Sequence, residues 1–532
     1  MTSSLPERTA LNSANDATRR WPRGGASATP EAPLRSEARE PAHAVLVRGA
    51  VEHGRITDLN ADTARRMSGV IGVWTGSDLP LIRVDREADP QQDPPGSGKR
   101  VAYPQMSALA VDRVLYPAQP VAVVVATSRA EAESAAAAIR LRTWALPSIT
   151  SPRESARLGA SPIHENWPRN TCANEYLGDY DQTVRVFDKA AHVTRLQLAG
   201  RRPECHTINI QEVVGLYDPE SGRCLLRKGS NEKCLNDTEI LEREIAGLVQ
   251  VAQRMGRAIR WVDYAMDPPE SGQVAPDFDF DWELALNSDG RFAGIRSNGF
   301  ISVGAYCLGE PPAIGAAALS GLLAGVYGLP LIEARRSFVL TNTAPKLWPS
   351  ASIGNSPAYA LERLIDSAAR EMRLDPLQLR QINVINMEFA NWNGRAQTLA
   401  DLAGFAVRKE DSAKRGRLRG LGVGNFRGTP SASGHEVSGA VYPGGTHVAE
   451  IEVDPASGCF AIVKYTAVTG AGETTCVDGI RTYDGEVSRS DARAAVVNAL
   501  VDAVGGKSIE APITPFRVWQ QLNGPPPMLG LY

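Results

Sequence analysis

Gly485-Glu486-Val487-Ser488-Arg489-Ser490-Asp491-Ala492-Arg493-Ala494-Ala495-Val496-Val497-Asn498-Ala499-Leu500-Val501-Asp502-Ala503 is the stretch whose reading decides the fold. It sets a carboxylate just before an amphipathic helix, and Pro512-Ile513-Thr514-Pro515-Phe516-Arg517-Val518-Trp519 follows. A carboxylate there is stabilised by the positive end of the helix dipole. Read from the residues alone, Glu486 is therefore a helix-terminal charge.

Upstream, turns alternate with isolated helices. Tyr217-Asp218-Pro219-Glu220-Ser221-Gly222, Leu286-Asn287-Ser288-Asp289-Gly290 and Val453-Asp454-Pro455-Ala456-Ser457-Gly458 each place a turn ending in Gly between alternating apolar residues, which reads as a hairpin. Leu241, Ile245, Leu248, Ala252 and Met255 recur at helical spacing and are closed by Gly256. Leu361, Leu364, Ile365, Ala368 and Met372 form a second helix, and Asp375-Pro376 starts a third with an N-cap and a first-turn proline. Hairpins mixed with isolated helices predict α+β layers from about residue 170 to 522.

A smaller α/β unit is expected over 42–149, closed before residue 150. Ala44-Val45-Leu46-Val47-Arg48 and Gly69-Val70-Ile71-Gly72-Val73-Trp74-Thr75 read as strands. Val121-Ala122-Val123-Val124-Val125-Ala126 reads as a strand covered on both faces. Ser128 and Glu131 make a capping box for a helix to about Arg140. Gln119 reads as a turn residue, and Asp179 caps a short helix.

Composition removes several classes of function. The chain has 532 residues and a formal charge of −3, which calls for two or more domains and argues against nucleic acid. Its seven cysteines are scattered and include no Cys-x-x-Cys pair, so no iron–sulfur cluster or zinc ribbon is expected. Unpaired, dispersed cysteines suit a cytoplasmic protein. Residues 1 to 40, rich in Ser, Ala, Pro, Arg and Glu, read as a disordered tail. Arg19-Arg20 is followed by Trp21-Pro22-Arg23-Gly24-Gly25 rather than an apolar core, so no export signal is read. Pro311 to Ile332 is uncharged and long enough to raise the question of a membrane span, but its Gly, Ala and Ser content and Pro330 predict a buried helix and loop instead. The histidines show no metal-ligand spacing on a helix.

The chain as a whole resembles the large, molybdopterin-binding subunit of the molybdenum hydroxylases, the family of xanthine dehydrogenase, aldehyde oxidase and carbon monoxide dehydrogenase. His53-Gly54-Arg55-Ile56, Gly69-Val70-Ile71-Gly72-Val73 and Tyr116-Pro117-Ala118-Gln119-Pro120-Val121-Ala122 look like its hammerhead domain. Gly256-Arg257-Ala258-Ile259-Arg260-Trp261, Gly304-Ala305-Tyr306, Thr341-Asn342-Thr343, Glu362-Arg363-Leu364-Ile365-Asp366 and Asp375-Pro376-x-x-Leu379-Arg380-x-x-Asn383 look like later landmarks, in the family's order. The resemblance implies a hammerhead domain followed by a larger molybdopterin-binding-like region. It also implies molybdopterin as cofactor, a small-molecule substrate, and iron–sulfur and FAD subunits as partners. Glu486 matches the family's catalytic base, and Gly485 matches its cofactor-binding glycine. Gly470-Ala471-Gly472-Glu473 is a better literal match, but only Glu486 has the family's offset from Asn498.

Three implied pieces are replaced. Lys228-Gly229-Ser230-Asn231-Glu232-Lys233-Cys234-Leu235-Asn236 stands where the family has a Gly-rich cofactor loop before a helix starting near Thr238. Pro349-Ser350-Ala351 stands where it has Tyr-Arg-Gly. After Asn383 a short charged, Gly-containing stretch runs through Arg415 to Gly434 and leads to a strand at His447, so the region is internally shortened. Two functions follow. One is an oxidoreductase that hydroxylates an aldehyde or N-heterocycle and passes electrons to partner subunits. The other is a non-catalytic relative that keeps the shell and a structural or partner-binding role.

Overall fold

The structure is a computed structural model. It describes residues 41–79, 81–82, 104, 106–200, 212–218, 223–228, 231–235, 246–264, 278–307, 321, 323–345, 355–386, 390–391, 394–396, 398, 400–426, 445–469, 474–480, 490–506, 509 and 513–524. The expected tail at 1–40, half of the Pro311–Ile332 stretch and Pro349-Ser350-Ala351 lie outside these residues. The described residues divide into two compact units. Those up to Ser97, in Gln105–Ser148 and in His206–Gln273 form the first; those in Gly98–Pro104, Ile149–Cys205 and Val274–Tyr532 form the second.

The first unit is built on a seven-stranded sheet in the order 231–235, 223–228, 212–218, 259–264, 42–48, 120–126, 70–75. Pro120–Ala126 is buried along its whole length and pairs antiparallel on both sides. The helix Arg129–Ala137 carries the predicted capping box: Glu131 N–H donates to Ser128 Oγ, and Ser128 N–H donates back to Glu131. It stops short of Arg140, which opens the next strand, Arg140–Ala145. Gln119 is a turn residue, as expected, and its buried Oε1 accepts from Leu115 N–H at 2.7 Å.

The expected closure of this unit before residue 150 is overturned. Ile259–Tyr264 pairs in parallel with Ala42–Arg48, Ala42 lying opposite Ile259 and Ala44 opposite Trp261, so one sheet continues across that boundary. The reason is backbone satisfaction. Ala42–Arg48 meets Pro120–Ala126 along one edge, and its other edge carries N–H and C=O groups that need partners once buried. A strand distant in sequence supplies them, which no local pattern announces.

The second unit holds two sheets. The five-stranded one runs 192–200, 278–286, 292–304, 332–340, 171–177. The four-stranded one runs 418–426, 445–453, 460–469, 474–480, antiparallel throughout. The three predicted hairpins all form, at Asp218/Arg223, Leu286/Phe292 and Val453/Phe460. Gly290 (φ 82°) and Gly458 (φ 72°) take the left-handed turn positions that favour glycine. The helix Asn355–Met372, called here the Glu362 helix, buries Leu361, Leu364, Ile365 and Ala368 in one core with Phe280, Trp282 and Leu284. Asp375 caps the helix Pro376–Gln381, accepting from Leu377 and Gln378 N–H. Asp179 likewise caps Tyr180–Lys189. The charged stretch after Asn383 supplies the helix Phe405–Lys414 and the strand Leu418–Phe426 that edges the four-stranded sheet.

The opening stretch folds as the helix Ser490–Ala503, called here the Asn498 helix. It is not amphipathic in the fold, because Ala494 through Val501 are all buried. Ala495, Val496, Ala499 and Leu500 pack against Ala449, Ile451 and Tyr465 of the four-stranded sheet. Glycines make the approach possible. A Cβ at Gly422 would run into the carbonyl oxygen of Ala495 and the amide nitrogen of Ala499, and one at Gly420 into the backbone of Ala499 and Ala503. Backbone cannot give way as a flexible side chain would. Gly422→Ala is therefore expected to cost about 1–3 kcal/mol, the range for overpacking a filled core. An unchanged urea midpoint would contradict this packing.

Candidate functional site

Gly485, Glu486 and the competing Glu473 all lie outside the described residues. What the structure fixes is the frame they join. Gly420 faces Ala499 and Ala503 while Gly422 faces Ala495 and Ala499, so the Asn498 helix runs opposite to the strand beside it. Its N-terminal end, where residues 481–489 join it, therefore lies toward the Asn425 end of that strand. Thr446 and His447 of the neighbouring strand sit at the same end, opposite Asn425 and Gly424.

That end is anchored by a buried polar network. Glu362 accepts from Arg380 Nε at 2.8 Å and from Tyr327 Oη at 2.5 Å. Arg380, with no exposed surface, also donates from Nη2 to the carbonyls of Glu362 and Val423, each at 3.1 Å. Asn498 Nδ2 donates to those same two carbonyls at 3.3 and 3.0 Å, and its Oδ1 accepts from Arg363 Nη1 at 2.6 Å. Asn425 Nδ2 donates to Tyr327 Oη at 3.0 Å, and its Oδ1 accepts from Thr446 Oγ1 at 2.8 Å. His447 Nδ1 lies 2.6 Å from Tyr465 Oη, with the two rings stacked. Burial pushes the Glu362 carboxyl upward while Arg380 pulls it back, and burial beside Glu362 holds the Tyr327 phenol well above its usual range. Glu362, Arg363, Arg380 and Asn498 are all residues the sequence singled out as landmarks. Tyr327, Asn425 and Thr446 were missed, since no spacing or motif marks them.

A second landmark cluster is structural too. Thr341 Oγ1 lies 2.7 Å from Ser302 Oγ and 2.8 Å from Thr343 Oγ1. Asn342 Oδ1 accepts from Ile149 N–H at 2.8 Å, and Ala305 N–H donates to the carbonyl of Thr343. Gly304 (φ 79°) lets this backbone pass close to Ala344 and Pro345. His164 Nε2 meets the Ala305 carbonyl at 2.6 Å, and burial pushes its pKa down.

The described residues in the place of the Gly-rich loop, Lys228 and Asn231–Leu235, do not fit a cofactor cradle. Asn231–Leu235 is an extended strand paired residue by residue with Cys224 to Lys228, at the edge of the seven-stranded sheet. In such a strand successive amides point to opposite edges and cannot converge on one anion. The helix that follows is described from Ala246 to Met255 and is closed by Gly256 (φ 58°), as predicted. Among the described residues, no group of three His, Cys, Asp or Glu side chains could hold a metal ion. Also among them, no helix is long and apolar enough to cross a membrane.

Two family models match the sequence. Residues 36–145 match "Aldehyde oxidase and xanthine dehydrogenase, a/b hammerhead domain". Residues 243–384 match "Molybdopterin cofactor-binding domain". The nicotine 6-hydroxylase large subunit of Paenarthrobacter nicotinovorans is 25% identical over 433 residues, covering 72% of this chain and 51% of that protein. The carbon monoxide dehydrogenase large chain of Hydrogenophaga pseudoflava is 24% identical over 387 residues, covering 65% of this chain and 47% of that protein. The chain thus spans about half the length of these curated relatives. In fold it is similar to quinoline 2-oxidoreductase from Pseudomonas putida 86, with TM-score 0.68, 16% identity and an alignment spanning 91% of this chain and 95% of that one. Two family domains in the expected order, together with these relatives, establish a family relationship between this chain and the molybdenum hydroxylase large subunits.

Proposed function

We propose that this chain is a large-subunit relative that keeps the family's protein shell and a structural or partner-binding role without retaining molybdopterin of its own. The observation that carries this reading is the edge strand Asn231–Leu235 in the place of the Gly-rich loop. Its amides diverge, so the backbone cannot cradle the cofactor there. The replacement of Tyr-Arg-Gly by Pro349-Ser350-Ala351 removes a guanidinium as well. Iron–sulfur and FAD subunits are the expected partners, and the cytoplasm the expected compartment. Metal analysis tests the reading: protein produced in a host that makes the cofactor should carry molybdenum far below one equivalent, with or without its partners. Stoichiometric molybdenum would overturn it.

A second reading is favoured by one observation. Asn498 is pinned by three hydrogen bonds, so the register of its helix is fixed, and Glu486 stands at the family's offset from it. On that reading the chain hydroxylates an aldehyde or N-heterocycle, with Glu486 as general base and electrons leaving through the partner subunits.

A further inference from the structure

In the first unit a large exposed aromatic, Trp144, stands on the outer face of a small sheet. Arg113–Val114, Gly54–Asn60 and Arg140–Ala145 form three antiparallel strands in that order. Alternation turns Ile56, Leu59 and Leu141 inward, against Val114 and Val121. Along the outer face Arg113 lies opposite Arg55 and Arg55 opposite Trp144; Asp58 lies opposite Arg142 and Asn60 opposite Arg140. Trp144 is 70% exposed, and Arg55, Arg140 and Arg142 are exposed beside it. Among the described residues no ion pair engages those three arginines, and Asp58 is the one carboxylate that the register places in these rows.

Solvation explains part of this. Arg140–Ala145 is an edge strand, and charged side chains on an edge discourage unwanted strand pairing. Trp144 does the opposite: it presents a large apolar ring to water on that edge. Tryptophan and arginine together are the residue types that anchor protein interfaces, the ring supplying buried area and the guanidinium supplying directed hydrogen bonds to carboxylates.

We propose that this face docks an acidic protein segment, with Trp144 as its apolar anchor and Arg55, Arg140 and Arg142 pairing with its carboxylates. Charge complementarity selects the partner, since the face is cationic on a chain whose formal charge is −3. Nucleic acid fits less well. A single aromatic gives no series of stacking platforms, and the chain lacks the basic field that phosphate backbones require. The inference does not depend on whether the chain binds cofactor.

The test uses the full-length chain and fluorescent poly-L-glutamate, with a single-stranded DNA oligonucleotide and phosphatidylserine vesicles as contrasting probes. Poly-glutamate should bind at low salt. Trp144→Ala should weaken it about tenfold, as for an interface anchor, and Arg55→Glu with Arg142→Glu at least as much. Arg55→Lys with Arg142→Lys should retain most of the binding, and Arg195→Glu, on an exposed arginine of the five-stranded sheet, should change nothing. Equal binding by wild type and the Arg55/Arg142 charge reversal would overturn the proposal. So would tighter binding of DNA or vesicles through the same residues. Loss on charge reversal with Trp144→Ala unaffected would also overturn it, leaving only non-specific charge.

Discussion

Arg380→Met should destabilise the protein by about 3–5 kcal/mol, the cost of removing one partner from a buried ion pair. The guanidinium is fully buried and is shared between the Glu362 carboxylate and the carbonyls of Glu362, Val423 and Pro376. Methionine fills much of the volume but donates to none of these groups. Glu362 would then be left charged in the core, or neutralised, with Tyr327 Oη and the Asn425 backbone N–H beside it but no cation. The loss should spread, because the Val423 carbonyl belongs to the four-stranded sheet and also accepts from Asn498. Chemical denaturation of the purified variant reads this directly. A pair is separable from its network by a second variant. Glu362→Leu combined with Arg380→Met should recover part of the loss, since exchanging both charges for apolar groups is often close to neutral. A loss below about 1 kcal/mol for Arg380→Met would mean that water satisfies the site and the network is not a structural anchor.

Much of the architecture was readable because its causes are local. The capping box at Ser128, the caps at Asp179 and Asp375, the closing Gly256 and the three hairpin turns each depend on a few adjacent residues, and each formed. The landmark residues were also visible, but their role was not. Glu362, Arg363, Arg380 and Asn498 stand far apart in sequence, and only the fold shows that they meet around two shared carbonyls. In this chain their role is to hold the packing of the Glu362 and Asn498 helices against the four-stranded sheet. What failed to show was long-range. The parallel pairing of Ala42–Arg48 with Ile259–Tyr264 has no local signature. The Asn498 helix looked amphipathic because Arg493 and Asp502 interrupt its apolar run, yet Ala494 through Val501 are all buried, and one face meets the backbone at Gly420 and Gly422.

The second large effect concerns Glu486. If the chain turns over an aldehyde or N-heterocycle with its partners present, Glu486→Gln should lower the rate by about 10²–10⁴-fold, the usual contribution of a general base. Glu473→Gln should leave the rate unchanged. The argument is one of fixed geometry. Asn498 holds its helix through Arg363, Glu362 and Val423, and the helix is seated on glycines 420 and 422. A base must be held within hydrogen-bond reach of the proton it takes, and Glu486 is the carboxylate that stands at the family's offset from Asn498. Glu473 instead follows the strand Phe460–Thr469, directly before Thr474–Ile480. It belongs to the connection between two paired strands. Glutamine keeps the shape of the side chain and removes its basicity, so the melting temperature should hold while the rate falls. Loss of turnover only in Glu473→Gln would reverse the assignment. Absence of turnover in the wild type, with partners bound and molybdenum absent, leaves Glu486 as a charge at the positive end of a helix dipole and the chain as a shell.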